Sequence, residues 1–450
     1  MNSKYEDLFE SLIKAYYDGT FDETVFTLMT AHEVSPQETF KIITSLCGVT
    51  VEFDNDYLRN LKKAITYYVV NKRLIEKLQC IDSNCVKDID NKFPCEKACP
   101  FNALTVDNEN FIASINEELC LNCGFCTDAC TKGKLIDKVE LLPILDLIKN
   151  NKVVIAIVAP AIIGQFGDNV SMDHLRSAFI SMGFTDMVEV AFAADILSIK
   201  EAVEFDKHVK GPNDLLITSC CCPMWVGMLR KVYGELIPNL SPSVSPMIAA
   251  GRIIKKLNPE AKVVFIGPCL AKKAEAKEPD IKDAIDFVLT FKEVEEIFHT
   301  LKINPEELIP IPTKEYPSLG GRSYARTGGV TRAIYDVIKE LYPDKAKYFN
   351  PIKANGVREC KEVLTKTLNG EVKASFIEGM GCVGGCVGGP RANLPLDKGT
   401  ENVDNFASSS AIKVPIYSSL LNDILSKLNI NSLKDFEDEE KMAMFQRSFK

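Results

Sequence analysis

The chain has 450 residues, 46% of them hydrophobic and 26% charged, which supports more than one cored domain and excludes a disordered or fibrous polymer. A formal net charge of −9 excludes the clustered lysine and arginine of a sequence-independent grip on nucleic acid. No basic-then-apolar leader opens the chain, and its most apolar stretch, Val153 to Gly164, is too short to span a bilayer, so a cytoplasmic protein without a membrane span is expected.

In chain order, MNSKYEDLFESLIKAYYDG is an acidic amphipathic helix pattern. Ser35-Pro36-Gln37-Glu38 is a capping box with proline at the first helical position, opening a helix through Phe40 and Ile43. The spacing predicts a further helix from Tyr57 to Leu78, so residues 1–76 form a helical N-terminal region. Cys47 lies in an apolar segment and reads as a buried structural thiol. Residues 77–140 then hold eight cysteines. From 141 to 417, short apolar runs alternate with amphipathic helices, the pattern of an α/β domain. Strands are expected at Val153–Val158, Leu215–Ile217, Val263–Ile266 and Ser375–Ile377. Three of these run directly into cysteine-bearing loops, which by the rule for open α/β sheets converge on one site beyond the strand ends. The tail, 418–450, reads as charged helix with no assignable site.

Sixteen cysteines in a long chain without a leader point to metal chemistry rather than disulfides. The four histidines (His32, His174, His208 and His299) show no paired-ligand spacing, so a metal inventory must rest on thiolates, as iron–sulfur clusters or zinc. Cys120-x2-Cys123-x2-Cys126-x3-Cys130 matches the bacterial ferredoxin spacing for a four-iron cubane better than separated zinc knuckles. The upstream set, Cys80-x4-Cys85-x9-Cys95-x3-Cys99-Pro100, is stretched in its first half. The expected pairing is crossed. Cys80, Cys85, Cys95 and Cys130 hold one [4Fe–4S] cluster; Cys99, Cys120, Cys123 and Cys126 hold the other. Residues 77–140 thereby resemble a two-cluster ferredoxin, an α+β domain that conducts electrons.

Three later loops carry a second resemblance. Ile217-Thr218-Ser219-Cys220-Cys221-Cys222-Pro223-Met224-Trp225, Pro268-Cys269-Leu270-Ala271-Lys272-Lys273-Ala274-Glu275 and Glu378-Gly379-Met380-Gly381-Cys382-Val383-Gly384-Gly385-Cys386 are similar to the three signatures of [FeFe]-hydrogenases, in family order. The resemblance covers about residues 78 to 420. It implies an α/β catalytic domain of two parallel-sheet lobes enclosing the cofactor, preceded by the ferredoxin-like domain and the helical region. It further implies that Cys222, Cys269, Cys382 and Cys386 ligate a third cubane. Cys386 would bridge to a two-iron subsite carrying carbon monoxide, cyanide and a dithiolate amine, together the H-cluster. In the same register Lys272 donates to a cyanide, Met380 sets a thioether against the two-iron site, and Cys221 exchanges protons with the amine. Glu201 and Glu204, in ADILSIKEAVE, and Ser241, in NLSPSVSP, fall where the family has a proton path. The expected route runs from solvent through Glu201, Ser241 and Glu204 to Cys221. Trp225 reads as packing, and Cys360 as a structural thiol.

The implied activity is that of a ferredoxin hydrogenase, an oxidoreductase of anaerobic hydrogen metabolism. Its partners would be ferredoxin or a similar small carrier, hydrogen and protons, and the maturation proteins that build the cofactor. A hydrogen sensor with slow turnover and a non-catalytic iron–sulfur assembly protein are the competing readings. Four departures mark a divergent subgroup: Cys220 makes a triple cysteine, Gly267 stands where a methionine is usual, the glycine loop after Cys386 is short (Gly388-Gly389-Pro390-Arg391), and the first ferredoxin motif is stretched.

Overall fold

The computed structural model describes residues 3–30, 34–70, 73–78, 80, 85–107, 112–211, 213–313 and 317–449. Four helices open the chain, Glu6–Asp18, Phe21–Thr30, Pro36–Leu46 and Tyr57–Thr66. Ser35 caps the third as its sequence predicts: its hydroxyl accepts the Glu38 N–H at 3.2 Å, with Pro36 in the first turn. Phe9, Leu12 and Ile13 of the first helix are buried, and that helix packs on Phe291–Thr300 of the later domain.

The helix expected from Tyr57 to Leu78 stops at Thr66. The next residues, Tyr67-Tyr68-Val69-Val70, are aromatic and β-branched, types that favour extended backbone. Tyr68 packs against Phe287 at a centroid distance of 4.9 Å. Beyond it, β1 (Ile75–Lys77) pairs antiparallel with β4 (Leu135–Asp137), closing the cysteine-rich segment end to end. Inside that closure β2 (Leu104–Val106) pairs antiparallel with β3 (Ala113–Ile115), and two short helices, Pro94–Lys97 and Phe125–Ala129, carry cysteines.

The remainder holds two parallel sheets. One has the order β6-β5-β8-β9, from β5 (Val154–Val158), β6 (Asp186–Glu189), β8 (Lys262–Gly267) and β9 (Phe287–Thr290). The other has the order β10-β11-β7, from β7 (Leu216–Ile217), β10 (Pro351–Asn355) and β11 (Phe376–Met380). The four strands expected from apolar runs are present. Of the strands in these sheets that were not expected, β6 and β10 carry charged residues, whereas β9 is apolar but only four residues long. The helix Ala191–His208 is buried along nearly its whole first three-quarters, between the two sheets' loops and the helices Leu319–Ser323 and Gly329–Leu341. Glu378 fixes β11 to the last of these, accepting the Gly328 and Thr331 N–H groups at 2.6 and 2.7 Å.

The C-terminal tail is helical only over Ser419–Lys427 and in short turns. Its last described residues instead lie along the segment 242–244: Val244 donates to the Phe445 carbonyl and Arg447 to the Pro242 carbonyl, each at 2.9 Å. Among the described residues no helix is long and apolar enough to cross a membrane.

Candidate metal centre and proton path

Each cysteine loop leaves the carboxyl end of a parallel strand. β7 runs into Thr218–Cys222, β8 into Pro268-Cys269, and β11 into Gly381-Cys382. Cys222 precedes the helix Pro223–Lys231, and the Gly381 N–H donates to its sulfur at 3.3 Å, so the first and third loops touch through a thiol. The turn from Cys382 to Cys386 needs its glycines. Gly384 and Gly385 have φ of +83° and +88°, and a Cβ on Gly385 would stand 2.7 Å from the Arg326 backbone.

The four thiols lie within one another's electrostatic reach, although among the described residues no three Cys, His, Asp or Glu side chains stand close enough to hold a single metal ion. Burial and then Cys269, Cys222 and Cys386 push the Cys382 thiol well above its usual range. Burial and then Cys222 and Cys269 push Cys386 up to about 12. Cys269 rises to about 11 through burial and Cys222. Thiols so placed are neutral until a cation replaces their protons, which suits the all-thiolate ligation of an iron–sulfur cubane.

Beside this set lies a cavity walled by Ala159, Pro160, Phe265 and Tyr324, with Cys221, Lys272 and Cys386 among its lining residues. Lys272 is buried and bonded to Glu275 Oε2 at 2.6 Å; burial works against its charge, but Glu275 more than compensates and its pKa is raised. Lys273 points away, bonded to Glu293 at 2.5 Å and to the Lys138 carbonyl at 3.0 Å. Phe265 fills the space beside Gly267, where a Cβ would meet its ring at 2.6 Å, so an aromatic edge stands where the family's methionine is missing. Met380 is buried at the end of β11 but does not line this cavity. Cys220 also turns away, its sulfur 3.1 Å from the Ser241 carbonyl. Trp225 braces the loop by donating to the Thr218 carbonyl at 2.7 Å.

The acidic pair on Ala191–His208 is ordered opposite to the expectation. The helix begins at the cavity, where Ala191 and Ala194 line the wall, and ends at the surface with His208. Its later carboxylate is therefore the outer one. Glu204 faces a solvent-open cavity of about 610 Å³ that Ser241, His208 and Arg447 also line. Glu201 is only 3% exposed; burial and then Glu204 raise its pKa from 4.5 to about 7. Glu201 and the Thr218 hydroxyl form a short hydrogen bond. Ser241 donates to Glu204 Oε2 at 2.6 Å, and Ser243 Oγ lies 2.8 Å from Ser241 Oγ. Tyr324, whose hydroxyl is 3.1 Å from Ser198 Oγ, stands in the field of both Glu201 and Cys221.

The ferredoxin-like cysteines form two groups. Cys80 is raised by burial, Cys130 and Cys85, and Cys95 to about 12 by burial, Cys130, Glu96 and Cys80. One cavity is lined by Cys80, Cys85, Cys95 and Cys130 together. Cys126 is raised by burial and then by Cys123, Cys120 and Cys99. Cys123 also acts on Cys382, so this second group adjoins the thiols of the three later loops. Arg391, buried just after the third loop, bonds Thr127 Oγ1 at 2.8 Å and Asp128 Oδ1 at 2.5 Å, between Cys126 and Cys130.

With this geometry in place, the family described as "Iron only hydrogenase large subunit, C-terminal domain" matches residues 152–390. The chain belongs to the iron-only hydrogenase large-subunit family. Among curated relatives it is 24% identical to the NADP-reducing hydrogenase subunit HndD of Solidesulfovibrio fructosivorans, over 69% of this chain and 64% of that protein, so it spans less than two thirds of that relative's length. It is 28% identical to iron hydrogenase 1 of Clostridium pasteurianum, over 66% of this chain and 68% of that protein. Cytosolic iron-sulfur assembly component 3 of Mus musculus is 24% identical, over 64% and 73%. A solved [FeFe]-hydrogenase HydA1 variant from Chlamydomonas reinhardtii shares the fold, with 22% identity, a TM-score of 0.54, and 68% of this chain and 97% of that one covered.

The hydrogenase signatures give no role to Lys200, Ser243, Tyr324 or Arg391, nor to Thr218, although Thr218 stands inside the first of them. Lys200 and Ser243 had a signal, since both sit inside the stretches read for Glu201, Glu204 and Ser241. Tyr324 and Arg391 had none, because only the fold brings them to the site.

Proposed function

We propose that this chain is an [FeFe]-hydrogenase that reversibly combines two protons and two electrons into molecular hydrogen. One observation carries the reading: Cys221, Lys272 and Cys386 line a single apolar cavity, with a chain of polar side chains reaching from solvent toward it and two further thiol groups in the ferredoxin-like segment. Cys222, Cys269, Cys382 and Cys386 would hold the cubane of an H-cluster, with Cys386 shared with the two-iron subsite. The bound group supplies the redox chemistry that unites protons and electrons.

The chain's own residues do the rest. Lys272, held charged by Glu275, offers its ammonium to an anionic ligand in the cavity. Apolar walls from Ala159, Pro160 and Phe265 exclude water. Glu201, with a pKa near neutrality, stores a proton on the inner side of the path, and the Cys221 thiol hands a proton onward from inside the cavity. Met380, buried at the end of β11 next to Gly381, would set its thioether toward the group held by Cys382 and Cys386. The crossed groups Cys80/85/95/130 and Cys99/120/123/126 would carry two [4Fe–4S] clusters passing electrons from a ferredoxin-type carrier in the cytoplasm, and maturation proteins would install the two-iron subsite.

The relatives named as assembly components favour a second reading, a cluster-bearing assembly protein without turnover. Maturing the chain and measuring hydrogen evolution from reduced methyl viologen separates the two. The hydrogenase reading expects turnover, about 14 iron atoms per chain, and infrared bands of metal-bound carbon monoxide and cyanide. An active preparation lacking those bands, or a fully loaded one without turnover, rejects it.

A further inference from the structure

Lys200 is a cation in the interior of the proton path. Its side chain is 1% exposed, and Nζ forms an ion pair with Glu204 Oε1 and donates to Ser243 Oγ at 2.9 Å. Ser243 in turn acts on the Glu201 carboxyl, lowering its pKa against burial. A polar chain therefore runs from Glu204 at the solvent-open cavity through Lys200 and Ser243 toward Glu201. Ser241 completes a ring, bonded to Glu204 and Ser243. A buried ammonium is expensive unless matched, and here one carboxylate meets it directly while a second lies one hydroxyl away.

We infer that Lys200 is a proton-carrying member of the path, passing protons between Glu204 and Ser243. Inward transfer breaks one Nζ–H bond as its proton goes to Ser243 Oγ, while the Ser243 hydroxyl proton goes to the Glu201 carboxylate. Lys200 is left as a neutral amine and Glu201 as a neutral acid. Glu204, protonated from the water-filled cavity, then returns a proton to Nζ and regains its charge. No electron moves in these steps. Ser241 holds the Glu204 carboxylate in line with Nζ. The inference rests on the hydrogenase reading for its purpose, but the path itself can be tested without turnover.

Arginine decides the matter, because it keeps the positive charge and the ion pair but does not give up its proton in a protein. Lys200→Met and Lys200→Arg would be matured alongside the parent. Two quantities would be followed: hydrogen evolution from reduced methyl viologen, and the rate at which the infrared band of the protonated Glu201 carboxyl shifts on transfer to heavy water below pH 7. We expect both variants to lose at least about 10²-fold in turnover, the usual scale of a lost acid–base step, with unchanged carbon monoxide and cyanide bands. Carboxyl exchange should slow in both. If Lys200→Arg turns over and exchanges at the parent rate, Lys200 is only a counter-charge and protons pass through Ser241. Should the parent itself show no turnover, the hydrogenase reading fails, while exchange in the two variants still decides the role of Lys200.

Discussion

Arg391 and Asp137 meet in a buried ion pair, Nε 2.8 Å from Oδ2, that fastens the end of the third cysteine loop to the last strand of the ferredoxin-like segment. Both side chains are 1% exposed, so removing one leaves an uncompensated charge in the interior. Arg391→Met should cost about 3–5 kcal/mol, read as a lower urea midpoint, and Arg391→Met combined with Asp137→Leu should recover much of it. A double variant as unstable as the single one would show that the guanidinium's bonds to Thr127 and Asp128 matter more than its charge.

The order of the acids makes a kinetic prediction. Cys221→Ala and Glu201→Ala should assemble all clusters yet lose about 10²–10⁴-fold in hydrogen evolution. Glu204→Ala should lose less than Glu201→Ala, because water in the adjoining cavity can take its place. The reverse ranking, measured with reduced methyl viologen, would put Glu201 at the mouth after all.

Glu201 also gives a pH dependence. Its folded pKa is raised from 4.5 to about 7, so between those values the folded chain binds a proton that the unfolded chain has lost. Its contribution to stability is therefore full below pH 4.5 and declines as pH rises through 7. Glu201→Gln should flatten that part of the stability curve in denaturant titrations. On the proposed path the protonated acid would also be the donor for hydrogen evolution, so turnover should fall above about pH 7. A rate that climbs steadily to pH 9 would exclude Glu201 as the rate-setting acid.

Electron delivery can be separated from chemistry. Replacing Cys99 or Cys126 should damage the inner ferredoxin-like cluster and lower ferredoxin-linked turnover. Hydrogen–deuterium exchange at the catalytic site should survive. Loss of both activities with the two-iron infrared bands intact would disprove the wire.

Cys220→Ser should keep the catalytic cubane and near-parent turnover, since serine can donate the same hydrogen bond to the Ser241 carbonyl. The measurable change should be confined to oxygen tolerance or cubane potential. Disappearance of the cubane signal in electron paramagnetic resonance would mean that the loop is read one residue out of register.

The candidate thiols are legible in the sequence because clusters demand fixed spacings, and the fold brings Cys80, Cys85, Cys95 and Cys130 to one cavity as that spacing predicts. The apolar strands were equally plain, since Val154–Val158 and Lys262–Gly267 sit in the middle of their sheet. Direction along a helix was not. Glu201 and Glu204 share one face by spacing, but which is nearer water depends on where Ala191 is anchored, a tertiary fact. Residues 67–77 misled because helical periodicity cannot foresee that Ile75 will pair with Asp137. Lys200 stands inside the stretch that names Glu201 and Glu204, yet a lone lysine among acids looks like a solvated face, and only the fold shows it buried.

The proposed ligands Cys222, Cys269, Cys382 and Cys386 come from three loops and two sheets, far apart along the chain. A group bound by all four would cross-link these loops as disulfides cross-link secreted domains, closing long stretches that the backbone alone closes at an entropic cost. Holding the two lobes together would then be partly the work of the inorganic core. Oxidative loss of that core would loosen the lobes as well as end catalysis, and an oxygen-damaged chain would become a substrate for proteases.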